Sequence, residues 1–244
     1  MWQLGFWKGT ASSRAVSGAN ARRPLKPSFI VATQAPQRHC FQRHRSRKHS
    51  PIDKNRMVET LHILGISGSL RARSYNRSAL CAAARMAPAG SAVEIADIGG
   101  IPLFNQDQEK QMPPVVLDFK KRIREADAIL IATPEYCYSI PGVLKNAMDW
   151  ASRPYGESAW RGKPIAIMGV SEGIYGTILA QQHLRQIFVD LKMFPVNEPE
   201  VMICNAAKHF DENGDVSDHA TKELVRQLLQ NLVDWTMRLR PGRA

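Results

Sequence analysis

Leu61-His-Ile-Leu-Gly-Ile66 is an apolar run of strand length, broken only by His62, and it opens directly into Ser67-Gly-Ser-Leu-Arg-Ala-Arg-Ser-Tyr-Asn76. Near-continuous apolarity marks a strand buried on both faces, the habit of parallel sheets. A helical pattern follows over 76–87, with Leu80, Ala83, Ala84 and Ala87 on one stripe and Pro88-Ala-Gly90 to stop it. Strand, Gly/Ser loop and helix in that order make a phosphate cradle, because the first turn of a helix offers unpaired N–H groups and partial positive charge. Gly68 lets the backbone come close. Ser67, Ser69 and Ser74 add hydroxyls, Asn76 an amide and Arg71 a guanidinium, with Tyr75 between them.

The same alternation repeats down the chain. Strands are predicted at 92–98, 128–132 and 164–170, and a short fifth one lies between Pro195 and Pro199, reaching about Ile203. Helical spacing marks Val116, Phe119, Ile123 and Ala126, then 143–152 before Pro154, then Leu184, Ile187, Phe188 and Leu191. Val225, Leu228, Leu229, Leu232 and Leu239 mark the last helix. Five strands alternating with five helices predict an α/β fold, a doubly wound parallel sheet with helices on both faces. Ligands on such sheets sit beyond the carboxyl ends of the strands, at a topological switch point. That rule collects the loops 67–76, 133–142 and 171–176 into one site.

The net charge of +11 suggests nucleic acid until it is located. Residues 1–56 hold 12 of the 33 Lys and Arg and one of the 22 acidic residues, which leaves 21 of each sign in 57–244. The basic excess thus belongs to the first 56 residues, and the body gives no reason to expect a nucleic-acid partner. That first segment, rich in Arg, Ser, Pro and His without hydrophobic periodicity, reads as a disordered tail. It also has the composition of a targeting segment. Met57, four residues before the first strand, reads as the natural start, and 57–244 as the folded domain. Cys40, Cys81, Cys137 and Cys204 are scattered without a C-x-x-C pair, which argues against a zinc site or disulfide framework and fits a reducing cytoplasm. No apolar run is long enough for a membrane span.

The loop after the first strand is neither a Walker A motif, which needs Gly-Lys, nor a dinucleotide fingerprint, since Gly65-x-x-Gly68 has the wrong spacing. A monophosphate held by hydroxyls and amides remains, and FMN is the common ligand of that kind on this architecture. Gly68-Ser-Leu-Arg-x-x-Ser-x-Asn76, Pro134-Glu-Tyr-x-Tyr-Ser-x-Pro-Gly142 and Leu144-Lys-Asn-Ala-Met-Asp-Trp150 together resemble the NAD(P)H-dependent FMN reductase family, near its bacterial quinone, chromate and azo-dye reductase branch. His183-Leu-Arg-Gln-Ile187 extends the likeness, which covers most of 60–240.

The resemblance implies a flavodoxin-like fold, bound FMN, and homodimers that pair into homotetramers. Ser67, Ser69, Arg71, Ser74, Tyr75 and Asn76 then look like the phosphate side of the cofactor site. Pro134, Glu135, Tyr136, Cys137 and Tyr138 look like the loop along the isoalloxazine edge, and Ser171 and Gly173 like a third flavin-side loop. The family commonly has Asn where this chain has Cys137. The change is mild if the position meets the flavin through its backbone N–H. The expectation from side-chain chemistry is that FMN still binds, with altered ring polarisation and a more oxidisable site.

The implied activity is NAD(P)H-dependent: hydride passes from nicotinamide to flavin N5, then a ping-pong step reduces a quinone, chromate, azo or flavin acceptor. No catalytic side chain and no metal is implied. A flavodoxin-type electron carrier or redox sensor is the alternative, although carriers are strongly acidic and 57–244 is neutral. Among the other polar residues, His183 reads as a hydrogen-bonding or interface residue and Glu135 as a structural loop residue or an inter-subunit partner. Lys145 and Asp149 read as an intrahelical pair, for which the resemblance implies a role at the dimer interface.

Overall fold

A computed structural model describes residues 60–240. The readings of 1–56 as a tail and of Met57 as the start lie outside the described residues.

Within 60–240 the strands are β1 (Leu61–Ser67), β2 (Ser91–Ala96), β3 (Ala128–Thr133), β4 (Pro164–Val170), β5 (Phe194–Pro195) and β6 (Val201–Ile203). The helices are α1 (Tyr75–Arg85), α2 (Pro114–Glu125), α3 (Gly142–Ala151), α4 (Ile178–Leu191) and α5 (His219–Leu239). All pairings are parallel, in the order β2-β1-β3-β4-β5, with β6 also on β4. The alternation predicts such a doubly wound parallel sheet, and the order is the flavodoxin-like one that the resemblance implies. The direction of winding reverses between β1 and β3, so the switch point lies there.

The fifth strand differs from its expectation. It is two short pieces, β5 beside Pro164 and Ile165 and β6 beside Met168 to Val170. Pro195 and Pro199 carry no N–H to continue a ladder, so the edge breaks between them. The predicted strand 92–98 ends at Ala96, and the segment from there to α2 contains a short 3₁₀ turn, Gln106–Gln111, capped by Asn105.

Strand periodicity divides the core. Leu64, Ile66, Ile129, Ile131, Ile165 and Ile167 pack with α2, α3 and α4 on one face. Leu61, Ile63, Leu130, Met168 and Val170 pack with α1 and α5 on the other. Each fully buried Leu or Ile contributes about 1.5–3 kcal/mol of transfer free energy, so truncating a central one such as Ile131 costs about 2–5 kcal/mol. Trp150 and Trp160, both fully buried, keep their indole N–H groups bonded to Pro102 O at 2.8 Å and Met148 O at 3.0 Å. Trp150 is thus a core anchor. Trp235 is half-buried and donates to Phe194 O at 3.1 Å, joining α5 to β5.

Candidate functional site

The loop after β1 is shaped by its own hydroxyls. Gly68 N donates to Ala132 O at 2.8 Å, prolonging the β1–β3 pairing by one residue. A Cβ on Gly68 would lie 3.2 Å from Pro134 Cδ and from Thr133 Oγ1, so glycine lets two loops of the site touch. Ser67 Oγ donates to Ser69 O at 3.2 Å and accepts from Ser69 N at 3.3 Å, while Ser69 Oγ accepts from Arg71 N at 3.3 Å. Ser74 is the N-cap of α1, its Oγ accepting from Arg77 N.

The first turn of α1 contains no acidic residue. The N–H groups of Tyr75 and Asn76 have no intrahelical acceptor at these positions, which leaves a donor pair and the positive end of the helix for an anion. Two other helices are closed by carboxylates of the chain itself. Asp218 caps α5 through Thr221 N at 2.7 Å, and Glu135 Oε2 accepts from Leu179 N at 2.9 Å and Ala180 N at 3.0 Å at the start of α4.

The loop after β3 carries a two-residue turn. Tyr136 and Ser139 exchange backbone hydrogen bonds of 3.0 Å in both directions. Between them Cys137 (φ 50°) and Tyr138 (φ 60°) are both left-handed, the signature of a type I′ turn, which Asn and Gly adopt most readily. An Asn would suit this backbone better than Cys137 does, and the exposed Cys137 lies outside the cleft. The loop after β4 is braced by Gly173 N donating to Ser171 Oγ at 3.1 Å, and by Asn205 N donating to Gly173 O at 3.1 Å.

These loops meet around a cleft of about 260 Å³ lined by Ser69, Arg71, Ser74, Tyr75, Asn76, Pro134, Glu135, Tyr136, Val170, Ser171, Glu172 and Gly173. Ten of the thirteen sequence-predicted residues come together here. Ser67, Cys137 and Tyr138 do not line it: Ser67 shapes the turn beneath Ser69, and the other two form the I′ turn at the rim. Hollows of about 350 and 440 Å³ lie elsewhere, but neither includes a residue of the three loops.

One side chain in the cleft is engaged differently from the role the sequence suggested, and a second keeps its expected one. The Asn76 amide exchanges hydrogen bonds of 2.9 Å with both Val170 O and Val170 N, so its contribution to an anion is its backbone N–H. The Glu135 carboxylate is bound to α4, in keeping with a structural residue. Glu172 and Val170 complete the lining, and sequence reasoning did not single them out. Arg71 approaches Glu172 at 3.9 Å with both side chains exposed, a separation and exposure at which an ion pair adds little. Ser139 Oγ and His183 Nδ1 are hydrogen-bonded at 2.9 Å, as expected of a hydrogen-bonding histidine. Lys145 Nζ meets both Asp149 oxygens at 2.8 and 2.9 Å, an intrahelical pair.

The donor set fits a phosphate monoester: a guanidinium, two serine hydroxyls and unpaired helix N–H groups at one end. Tyr136 and other residues of the loops after β3 and β4 also line the cleft. Among the described residues there is no His/Cys/Asp/Glu cluster able to hold a metal ion, and no helix is long and apolar enough to cross a membrane.

Comparison with known proteins agrees with this geometry. The family model described as NADPH-dependent FMN reductase matches residues 61–208. An NAD(P)H-dependent FMN reductase of Pseudomonas aeruginosa is 52% identical over 185 residues, covering 75% of this chain and 100% of that protein. A 2-hydroxy-1,4-benzoquinone reductase of a Burkholderia species is 43% identical over 175 residues, covering 72% and 96%. Among solved structures, the flavoenzyme NAD(P)H:(acceptor) oxidoreductase FerB of Paracoccus denitrificans aligns with a TM-score of 0.68 and 35% identity, over 73% of this chain and 98% of that one.

Proposed function

The chain belongs to the NADPH-dependent FMN reductase family, and we propose that 57–244 is a reductase domain that passes electrons from NAD(P)H to quinone-type acceptors. FMN is its cofactor and NAD(P)H its co-substrate. The observation that carries the reading is the open N-terminus of α1 in a cleft that Ser69, Arg71, Ser74 and Tyr136 line together.

The chemistry FMN supplies when bound is hydride acceptance from a nicotinamide and reduction of a second substrate. The residues of this chain bind and orient. Ser69, Arg71, Ser74 and the N–H groups of Tyr75 and Asn76 hold the phosphate. Pro134, Glu135 and Tyr136, with Ser171 and Gly173, wall the ring, and Cys137 and Tyr138 form the turn at its rim. Ser67 keeps Ser69 in place. Nothing in the cleft is arranged as a nucleophile with a base, which suits a ping-pong cycle in which nicotinamide and acceptor use one opening in turn. Quinones support this best, since proteins similar to the chain are quinone reductases; chromate, azo compounds and free flavin are further acceptors of the same exposed ring.

Exposed Tyr138, Ile174 and Tyr175 beside the opening suit coverage by a second copy in a homodimer, paired further into a homotetramer. The free thiols Cys81, Cys137 and Cys204 suit a reducing cytoplasm.

Steady-state kinetics on the purified protein, with NADPH and NADH against quinone, chromate, azo and flavin acceptors, tests the proposal. Parallel double-reciprocal lines with a quinone are expected. Flavin bleaching by anaerobic NADPH too slow for turnover would instead favour an electron carrier.

A further inference from the structure

The cleft loop after β3 is joined to α4 at two points that bracket its turn. Before the turn, Glu135 Oε2 accepts from Leu179 N and Ala180 N at 2.9 and 3.0 Å. After it, Ser139 Oγ bonds His183 Nδ1 at 2.9 Å. Leu179 and His183 are one helical turn apart, so both ties reach the same stretch of α4. The native N-cap of α4, Thr177, makes no side-chain cap bond; its Oγ1 accepts instead from Gln181 Nε2 at 3.1 Å. The carboxylate of Glu135, 44 residues earlier, takes the place a capping side chain would fill.

We propose that Glu135 and His183 form a two-point clamp that fixes the Pro134–Ser139 loop against α4, making Glu135 a positioning residue for the flavin ring. It is then neither a ligand nor a proton-transfer group. The clamp has a functional side because of what lies between its points. Tyr136 lines the cleft, and Cys137 and Tyr138 are both held left-handed, a backbone state that L residues keep only when their surroundings impose it. Two ties on one helix impose it. The α4 N-terminus, neutralised by Glu135, is withdrawn as an anion seat, whereas the first turn of α1, which lines the cleft, stays open.

The inference rests on FMN being the ligand of the cleft, and its test separates the two ideas by using flavins with and without a phosphate. The full-length chain is freed of flavin and titrated with FMN and with riboflavin by fluorescence quenching. Glu135→Ala is expected to weaken both flavins by the same factor, about tenfold, because the defect is at the ring. Arg71→Ala should weaken FMN and leave riboflavin unchanged. Glu135→Gln, whose Oε1 can still accept from both N–H groups, should recover most of the loss. A purely structural cap would lower the melting temperature and leave riboflavin affinity where it was; that result overturns the inference, as does loss of FMN binding alone. Should Glu135→Ala not fold, Ser139→Ala, which removes only the second point, decides by the same pair of titrations. A wild-type chain that binds neither flavin would overturn the proposed function instead.

Discussion

Asn76 and Val170 exchange two hydrogen bonds of 2.9 Å, side-chain amide to backbone amide, across 94 residues of sequence. Both are buried. The pairing joins the first turn of α1 to the last residue of β4, so two walls of the cleft move as one. Asn76→Leu would leave the N–H and C=O of Val170 without partners in a dry place. A loss of about 2–4 kcal/mol is expected, read as a lower denaturation midpoint at constant slope. FMN retention should fall with it, since the N–H groups of Tyr75 and Asn76 are no longer aimed by β4.

Arg71 and Ser69 should govern how firmly FMN is kept. Both line the cleft, and among the described residues Arg71 makes only long, exposed contacts, to Arg73 O at 3.4 Å and to Glu172 at 3.9 Å. Replacing both by Ala removes two hydrogen bonds to an ionised phosphate, a loss on the order of a hundredfold or more in FMN affinity. Equilibrium dialysis measures it. Turnover should return when FMN is added in excess, which marks the defect as one of retention. A double variant that stays yellow through gel filtration would sink the phosphate assignment.

Cys137 occupies the first central position of the turn between Tyr136 and Ser139, at φ 50°. A left-handed conformation is unfavourable for most L residues and better tolerated by Asn. Cys137→Asn is therefore expected to stabilise the protein by about 0.5–1 kcal/mol. Flavin affinity should change little, because the side chain lies outside the cleft. Thermal unfolding with and without FMN separates the two effects. An unchanged melting temperature accompanied by an altered flavin potential would restore the reading based on side-chain chemistry.

The sequence carries the fold and the three loops because both are written in local signals. Leu61–Ile66, Ala128–Ala132 and Pro164–Val170 are apolar at strand length, and the intervening stripes repeat at helical spacing. The switch-point rule then brings the loops together without any knowledge of contacts. What it could not show are ties made over distance. Nothing near Asn76 announces Val170, and nothing near Glu135 announces α4. Asn76 read as a ligand, and Glu135 as a structural residue without a named partner, because polar side chains in a loop look alike until their partners are known. The turn at Cys137-Tyr138 was hidden for another reason: neither residue is one of the usual markers of a left-handed pair. Pro195 and Pro199 were visible, and so was a short strand, but whether a proline-flanked edge continues or splits depends on its neighbour β4.

Asp218, the N-cap of α5, gives a prediction in acid. Hydrogen bonds from the Thr221 hydroxyl and from Thr221 N hold its carboxyl at about 2, below the ordinary 3.8, with burial acting weakly the other way and His209 adding to the depression. The folded state therefore prefers the ionised form. The stability this contributes is present in full above about pH 4 and is lost as pH falls through about 2. Asp218→Asn keeps a capping oxygen for Thr221 N but cannot ionise. The variant should melt below the wild type at pH 7, and the gap should close between pH 4 and pH 2. Melting curves for both proteins across that range, at one ionic strength, measure it. A gap that is constant with pH would show that the carboxylate of Asp218 is not preferentially ionised in the folded state.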